Sequence, residues 1–315
     1  MKKILVTGGC GFIGSNFIEY LYRKYDCQIV NVDRLSIGSN PANISPEIKK
    51  SKRYSFYAID IATVNVERVF HDHLDIDAIV NFAAETHVDR SLTNRLSFVN
   101  SNIAGTQNLL DLTKEFKVGR FLQVSTDEVY GEVLMGESKE GDEINPTNPY
   151  SATKVGAEAM VKASINSFGV DAVITRSSNN YGPKQFTEKL IPMIISKALA
   201  GEQIKVFNGG TAIREWTHVW DNCIAIDLVL RGARSGEVYN IGSGERLCNT
   251  VIVERILKIL GAPKGLIVNT NDRINDDNRY ALSSHKIRDE FGWKPTISLQ
   301  AGLESTVEWY KQNIK

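Results

Sequence analysis

A short apolar run followed at once by a glycine-rich turn opens the chain and constrains its fold more than any other feature. Ile4-Leu5-Val6 predicts a buried strand, and Thr7-Gly8-Gly9-Cys10-Gly11-Phe12-Ile13-Gly14 comes directly after it. A helical pattern then continues through Phe17, Ile18 and Leu21. Glycines at such a turn allow close backbone approach to a pyrophosphate, and the helix N-terminus offers its N–H groups to the phosphates. The alternative is a glycine-rich turn without a ligand, and the sequence that follows distinguishes the two interpretations.

An acidic residue follows the next apolar run. Ile29-Val30-Asn31-Val32 predicts a second strand and ends in Asp33, roughly 20 residues beyond the glycines, where an acid binds the ribose hydroxyls of a dinucleotide. A carboxylate there repels a 2′-phosphate, which favours NAD over NADP. Arg34 stands next to it and weakens that preference. The predicted cofactor is NAD.

The alternation of strands and helices continues along the first half of the chain. Phe56-Tyr57-Ala58-Ile59 leads to Asp60 and Ile61, and Ala78-Ile79-Val80-Asn81-Phe82 leads to Ala83-Ala84-Glu85. A helical segment lies between Val99 and Phe116. This pattern predicts an α/β fold with a doubly wound, Rossmann-type parallel sheet, whose ligands bind at the carboxyl ends of the strands.

The second half of the pattern is less regular. We expect an NAD-binding domain over residues 1–175, which includes the predicted catalytic helix, and a smaller mixed α/β substrate-binding region over residues 176–315, interleaved with the sheet. A helix is predicted from Lys189 to Ala200, and Lys205-Val206-Phe207 predicts a strand that lines a base pocket.

Composition excludes several classes of function. Lysine plus arginine equals aspartate plus glutamate at 37 each, so no global basic field favours nucleic acid or membrane surfaces. The four cysteines are scattered, and no run of about 18 apolar residues or signal peptide is visible. A cytoplasmic protein is the simplest interpretation. His71-Asp72-His73 lacks a third nearby ligand, so no metal site is predicted.

The stretch from Ser125 to Gly131 carries the predicted chemistry. Asp127 and Glu128 follow the buried run Phe121-Leu122-Gln123-Val124, whereas adjacent acids elsewhere usually mark a solvated loop. Tyr150 and Lys154 are four residues apart, so one helical turn presents both to the same site. A nearby ammonium and a cationic nicotinamide favour tyrosinate, which is a usable base for a sugar hydroxyl.

These motifs resemble those of the extended short-chain dehydrogenases, and within them the nucleotide-sugar 4,6-dehydratases. The resemblance covers nearly the whole chain, and Thr126-Asp127-Glu128 is its most specific part. The other matching segments are Thr7 to Gly14, Phe82 to Ser91, Tyr150 to Lys154, Ser177 to Pro183 and Glu188 to Pro192.

The resemblance implies a three-step reaction. Tyr150, aided by Lys154 and Thr126, removes the C4 hydroxyl proton while hydride passes from C4 to NAD. Glu128 then removes the C5 proton, Asp127 protonates the departing C6 hydroxyl, and hydride returns to C6. The implied substrate is a nucleoside-diphosphate hexose, with dTDP-glucose first.

Motif positions and the resemblance together give two sets of binding residues. The expected cofactor contacts are Gly8, Gly11, Phe12, Ile13, Gly14, Asp33, Arg34, Ser36, Asp60, Ile61, Phe82, Ala83, Ala84, Ser101, Tyr150, Lys154 and Asn180. The expected substrate contacts are Thr86, His87, Thr126, Asn179, Lys189, Leu190, Lys205, Phe207, Arg214, Asn240, Arg273, Arg279 and Tyr280.

Departures from the family pattern concentrate on the substrate side. The family usually has Arg-Pro-Gly-His-Asp-Arg-Arg-Tyr where this chain reads Arg273-Ile274-Asn275-Asp276-Asp277-Asn278-Arg279-Tyr280. Trp220 and Asn222 stand where the family commonly has Glu and His. A UDP-sugar, UDP-glucose or UDP-N-acetylglucosamine, therefore stays open as substrate, and so does release of an unsaturated 5,6-ene product.

Two rival functions are weighed against the dehydratase. A 4-epimerase or decarboxylase generally lacks the Asp127–Glu128 pair, and a non-enzymatic NAD-binding protein has no need of that pair together with Tyr150 and Lys154. Relatives form homodimers through a four-helix bundle, and the apolar helices 99–116 and 151–168 predict the same here.

Overall fold

The structure is a computed structural model that describes residues 1–270 and 277–313. Its twelve described strands are β1 (Lys3–Thr7), β2 (Gln28–Val32), β3 (Tyr54–Tyr57), β4 (Ala78–Asn81), β5 (Arg120–Thr126), β6 (Ala172–Ser177), β7 (Asn179–Tyr181), β8 (Ile204–Phe207), β9 (Ile213–His218), β10 (Val238–Ile241), β11 (Arg246–Cys248) and β12 (Ile267–Thr270).

The α-helices of the same described part alternate with these strands. They are α1 (Phe12–Lys24), α2 (Pro46–Lys50), α3 (Glu67–Asp72), α4 (Val88–Thr93), α5 (Arg95–Phe98), α6 (Gly105–Glu115), α7 (Pro149–Phe168), α8 (Leu190–Ala200), α9 (Val219–Gly232), α10 (Asn249–Leu260), α11 (His285–Phe291) and α12 (Leu299–Asn313). None of the helices in residues 1–270 and 277–313 is long and apolar enough to cross a membrane.

Seven parallel strands form the central sheet, which confirms the predicted fold class. Their order is β10-β6-β5-β4-β1-β2-β3, and every neighbouring pair is parallel. The chain runs outward from β1 in both directions, so the order reverses between β1 and β4. A crevice opens at such a reversal, outside the carboxyl ends of the strands.

Both faces of this sheet are buried, which explains the continuous apolar runs of its strands. Ile4 and Val6 point to a layer formed by α1, α9 and α11, whereas Leu5 between them points to a layer formed by α3, α6 and α7. This alternation follows from the two-residue period of a strand. The sheet is therefore a rigid platform for whatever its carboxyl edge carries.

The C-terminal part adds a second, smaller unit. A three-stranded sheet (order β11-β9-β7) and a two-stranded sheet (β12-β8) pack with α8, α10 and α12 around a separate apolar core. Strand β10 returns to the large sheet beside β6. The two parts of the chain are thus interleaved.

Two sequence predictions change in detail, and a third is confirmed. The strand expected to reach Ile59 ends at Tyr57, and Asp60 lies three residues beyond its end. The helix expected from Val99 begins with a π-helical turn over Val99–Ala104 before α6 continues to Glu115. The predicted strand at Lys205 is confirmed as β8, and it pairs with β12.

Candidate active site

A cavity of about 300 Å³ lies at the carboxyl edge of the central sheet. The ends of β1, β2, β4, β5 and β6 all contribute to its walls. Every residue predicted from the sequence to contact a cofactor, and all five predicted catalytic residues, line this one cavity. The lining also includes Thr86, His87, Asn179 and Lys189 from the predicted substrate set.

The glycine-rich turn forms one wall through very close packing. Gly8 has a φ of +65°, and a Cβ there would lie 2.7 Å from the backbone nitrogen of Ala83. A Cβ on Gly14 would lie 2.4 Å from the carbonyl oxygen of Gly8. Helix α1 starts after Gly11, which has no side chain to cap its first N–H groups. Its N-terminus is therefore presented to the cavity and suits phosphate oxygens.

Acidic groups surround the next part of the cavity. The Asp33 carboxylate accepts hydrogen bonds from the backbone N–H groups of Cys10 (2.9 Å) and Leu35 (2.7 Å), so it ties β2 to the glycine-rich turn. Arg34 forms ion pairs with Asp60 (2.9 Å) and Glu85. The positive charge of Arg34 is thus matched by two carboxylates at this end.

Asp127 lies at the end of β5 and is only 3% exposed. Its Oδ1 contacts Thr126 Oγ1 at 3.2 Å, while its buried Oδ2 has no hydrogen-bond partner among the described residues. Burial, together with the nearby Glu128 and Glu215 charges, raises the pKa of this carboxyl to about 8. Asp127 is therefore mainly protonated at neutral pH and can donate a proton.

Glu128 has a different environment although it is the next residue. Asn148 Nδ2 donates to Glu128 Oε2 at 3.2 Å. Burial raises the pKa of Glu128, but the Asn148 hydrogen bond and the charges of Lys189 and Arg214 oppose that effect. Of the two acids, Glu128 has the partners that favour the ionised form, which makes it the candidate base.

Tyr150 and Lys154 face the same cavity from the first turns of α7. Thr126 is hydrogen-bonded to the Tyr150 hydroxyl, and Lys154 Nζ donates to the Val124 carbonyl at 2.6 Å. Burial lowers the pKa of Lys154 to about 8. Burial and the charges of Glu128 and Asp127 raise the pKa of Tyr150. Among these residues only Thr126 lowers the pKa of Tyr150, so a tyrosinate favoured by an ammonium together with a cationic nicotinamide stays a prediction.

Unpartnered polar atoms concentrate in this cavity. Ser125 Oγ, Asn179 Oδ1 and Asn180 Oδ1 are buried without a hydrogen-bond partner in the described residues, as Asp127 Oδ2 is. A buried polar atom without a partner costs free energy, about 1–3 kcal/mol in protein mutational data. Their convergence on one cavity indicates that a polar ligand satisfies them.

A buried ion pair connects the catalytic helix α7 to the neighbouring strand β6. Glu158 on α7 and Arg176 on β6 pair at 2.6 Å, and both side chains are 1% exposed. Arg176 Nη1 also donates to the hydroxyl of Tyr130, in the same 3₁₀ turn as Asp127 and Glu128. The helix of Tyr150 and the turn of the two acids therefore share one rigid anchor.

The structure corrects the substrate prediction for Asn240. This side chain is fully buried: its Oδ1 accepts from the Tyr130 hydroxyl (2.8 Å) and its Nδ2 donates to the Ser138 carbonyl (2.9 Å). Both ends of the amide are occupied within the fold, so Asn240 fixes the turn that carries the acids instead of contacting a ligand.

The remaining predicted substrate residues that the structure describes lie outside the cavity lining. Arg214 is buried with its guanidinium 4.6 Å above the ring of Tyr280, and its charge reaches both acids. Arg279 donates to the carbonyls of Val133 and Gly136, so it braces that loop. Arg273 is outside the described residues. The other members of this group are Leu190, Lys205 and Phe207.

Sequence reasoning missed several residues that shape the site. Asn148 was readable as a helix N-cap, since Pro149 follows it and Ser151 completes a capping box. Its bond to Glu128 was not readable, because that contact depends on the tertiary fold. Arg176 shows only as a single charge inside an apolar strand, and Glu215 shows only as the neighbour of Arg214.

Comparison with known proteins agrees with this geometry. A sequence model of the family described as GDP-mannose 4,6 dehydratase matches residues 5–306. The low-salt glycan biosynthesis protein Agl12 of Haloferax volcanii is 44% identical over 309 residues, which is 98% of each chain. The dTDP-glucose 4,6-dehydratase of Streptomyces niveus is 43% identical over 99% of this chain and 93% of its own.

Solved structures give the same result. The crystal structure of DesIV, a dTDP-glucose 4,6-dehydratase from Streptomyces venezuelae with NAD bound, superposes with a TM-score of 0.95. It is 39% identical and covers 99% of this chain and 97% of its own. The chain therefore belongs to the GDP-mannose 4,6 dehydratase family.

Proposed function

We propose that this family member is an NAD-dependent nucleotide-sugar 4,6-dehydratase, a hydro-lyase that converts dTDP-glucose to dTDP-4-keto-6-deoxyglucose. The observation that carries the proposal is the buried pair of acids at the end of β5. Asp127 has a raised pKa and an unpartnered oxygen, whereas Glu128 is hydrogen-bonded by Asn148. Removal of water from a sugar needs one acid in each state. The relatives from Streptomyces niveus and Streptomyces venezuelae are dTDP-glucose 4,6-dehydratases, which supports the same assignment.

The cavity fits NAD. Gly8 and Gly14 let the turn pack tightly where a Cβ would clash with the Ala83 and Gly8 backbone, and the N-terminus of α1 suits the pyrophosphate. Asp33 lies where the ribose hydroxyls are expected, and the charge of Arg34 is held by Asp60 and Glu85. That acidic end disfavours a 2′-phosphate, which supports NAD over NADP. When bound, NAD supplies the chemistry of taking hydride from C4 and returning it to C6.

The first role of the protein is to remove the C4 hydroxyl proton. Tyr150 is the candidate base because its hydroxyl lies beside Thr126 at the cavity wall. Lys154 faces the same cavity and is held by the Val124 carbonyl. A bound nicotinamide cation adds the positive charge that lowers the pKa of Tyr150.

The second role is to eliminate water across C5 and C6. The C4 ketone acidifies the C5–H bond, and Glu128 takes that proton. Asp127 gives its proton to the C6 hydroxyl, which leaves as water. Glu128 later returns its proton to C5 when C6 has been reduced, so the sugar leaves as a 4-keto-6-deoxyhexose.

A panel of nucleotide sugars tests the proposal. We expect mass spectrometry to show loss of one water from dTDP-glucose, and a smaller or no loss from UDP-glucose and UDP-N-acetylglucosamine. Water loss from a UDP-sugar instead would reassign the nucleotide. Because an unsaturated 5,6-ene can have the same mass as the 4-keto-6-deoxy sugar, NMR of the product completes the test: vinyl signals would reassign the last step, and unchanged mass with inverted C4 would support an epimerase. Glu128→Gln should block water loss while C4 oxidation continues; dehydration at the wild-type rate would refute the assignment of Glu128.

We also propose a cytoplasmic homodimer. Helices α6 and α7 pack side by side, and Leu96, Val99 and Phe168 near their ends are 68%, 40% and 54% exposed. A second copy that pairs these two helices would cover those side chains. Light scattering at micromolar concentration should give twice the chain mass, and a monomer mass would contradict the dimer.

A further inference from the structure

One side chain touches both the start of the catalytic helix and the candidate base. Asn148 is the N-cap of α7: its Oδ1 accepts from the Ser151 N–H at 2.9 Å, and its own N–H donates to Ser151 Oγ at 3.2 Å. Its Nδ2 donates to Glu128 Oε2 at 3.2 Å. The oxygen of this amide therefore caps the helix, and its nitrogen is hydrogen-bonded to the candidate base.

The cap alone does not require an amide. Serine, threonine and aspartate cap helices about as well as asparagine, because the cap needs only an oxygen acceptor. Asparagine adds an N–H donor at the opposite end of the same side chain. In this structure that additional donor is the atom that contacts Glu128.

The chain around Asn148 fixes the distance between the two elements. The Asn145 N–H donates to the Val129 carbonyl at 3.0 Å. Gly131 lies so close to Asn145 that a Cβ would be 2.2 Å from the Asn145 carbonyl oxygen. The segment that leads to Asn148 is thus attached to the turn of the two acids, and Asn148 is only 9% exposed.

We propose that Asn148 is a positioning residue that orients the Glu128 carboxylate for removal of the C5 proton and ties it to the helix of Tyr150. The inference rests on the proposed function, in which Glu128 is the base. A carboxylate on a flexible side chain loses rate when it samples orientations that miss the proton. A donor on Oε2 restricts that sampling and favours the ionised form.

Asn148→Ser separates the cap from the positioning. Serine keeps an acceptor for the Ser151 N–H, but its shorter side chain has no amide donor for Glu128. We expect exchange of the C5 hydrogen of dTDP-4-keto-6-deoxyglucose with deuterated water, followed by NMR, to slow by about 10-fold or more. Oxidation of dTDP-6-deoxyglucose at C4, which needs no C5 proton removal, should stay within about 2-fold. The melting temperature should be nearly unchanged.

Asn148→Asp tests the charge of the contact. Aspartate keeps the cap but places a carboxylate opposite Glu128. The groups whose charges already reach Glu128 are Asp127, Tyr150, Lys189, Arg214, Asp277 and Tyr280. All of them stay in this variant, so the acidic limb of the exchange rate should move to higher pH. A limb that stays in place would count against the contact.

Ser151→Ala is the matched control. It removes the reciprocal bond of the capping box and leaves the Asn148–Glu128 bond intact. We expect a lower melting temperature with C5 exchange unchanged. If Asn148→Ser and Ser151→Ala both slow C5 exchange in proportion to their loss of stability, Asn148 acts only as a cap and the inference is wrong.

Two failures are distinguishable. If the wild-type protein exchanges C5 and Asn148→Ser exchanges it equally fast, the inference fails and the proposed function stands. If the wild-type protein neither dehydrates nor exchanges any of the nucleotide sugars, the proposed function fails and the inference fails with it.

Discussion

Replacing Asp127 with asparagine should make the protein more stable while it abolishes most of the water elimination. Asparagine has the shape of a neutral carboxyl group, so it fits the buried position without a charge. The wild-type carboxyl has its pKa raised to about 8 from an ordinary value of 3.8, with burial as the main cause. The folded state therefore resists ionisation that the unfolded chain permits.

The sign and size of the stability change follow from the difference between the folded and unfolded pKa of Asp127. Because the folded pKa is raised, the wild-type protein keeps its full stability below about pH 4 and loses it as pH rises towards 8. The loss is about 1.4 kcal/mol for each pH unit in this window, or about 4 kcal/mol at pH 7. For a chain of 315 residues, this corresponds to a melting temperature about 6 °C higher in Asp127→Asn.

Thermal unfolding of both proteins between about pH 5 and 8.5 measures this difference in melting temperature, because most of the pH-dependent loss of wild-type stability falls in that range. Activity should fall by about 10²- to 10⁴-fold for water loss, the usual contribution of a general acid, with C4 oxidation retained. Asp289→Asn, at an exposed aspartate, controls for the loss of one charge and should show no such gap. A gap that is independent of pH, or an Asp127→Asn protein less stable than wild type, would refute the buried neutral acid.

Three further changes test the scaffold and the cofactor side. Glu158→Gln leaves the buried Arg176 charge unpaired and should cost about 3–5 kcal/mol of unfolding free energy, measured by denaturant titration. Gly14→Ala places a Cβ against the Gly8 carbonyl and should weaken NAD binding by about 10-fold or more, measured by calorimetry. Lys154→Met should slow C4 oxidation by about 10-fold or more. Because the pKa of Lys154 is about 8, wild-type oxidation should also decline above that pH in stopped-flow absorbance, and a flat profile would argue against a charged Lys154.

The residues expected to contact the cofactor line one cavity because strand period and strand ends determine their positions. Asp33 and Ala83 follow apolar runs, and parallel strands bring such positions to one edge of the sheet. Asp60 illustrates the tolerance of this rule: β3 ends at Tyr57, two residues before the expected end at Ile59, yet Asp60 still lines the cavity. An error of a few residues in the predicted end of one strand does not change which edge of the sheet carries the site.

The substrate side was less predictable because its contacts join distant parts of the chain. Asn240 stands in an apolar motif that suggested binding, but its partners Tyr130 and Ser138 are 110 and 102 residues away. No local pattern indicates such a pairing. The same holds for Asn148, whose local signal indicates a helix cap and whose contact with Glu128 depends on how the loop from Gly131 folds back.

The arrangement also explains how two acids can be neighbours in a buried site. Like charges that close together raise the free energy of the doubly ionised pair, so one carboxyl stays protonated. In the proposed elimination Asp127 loses a proton as Glu128 gains one, which leaves one negative charge in the pair before and after the step. Tyr150, whose pKa both acids raise, keeps the proton that it took from the C4 hydroxyl throughout the elimination. The water loss then needs no new charge inside the protein, and its electrostatic cost is limited to moving one charge between adjacent residues.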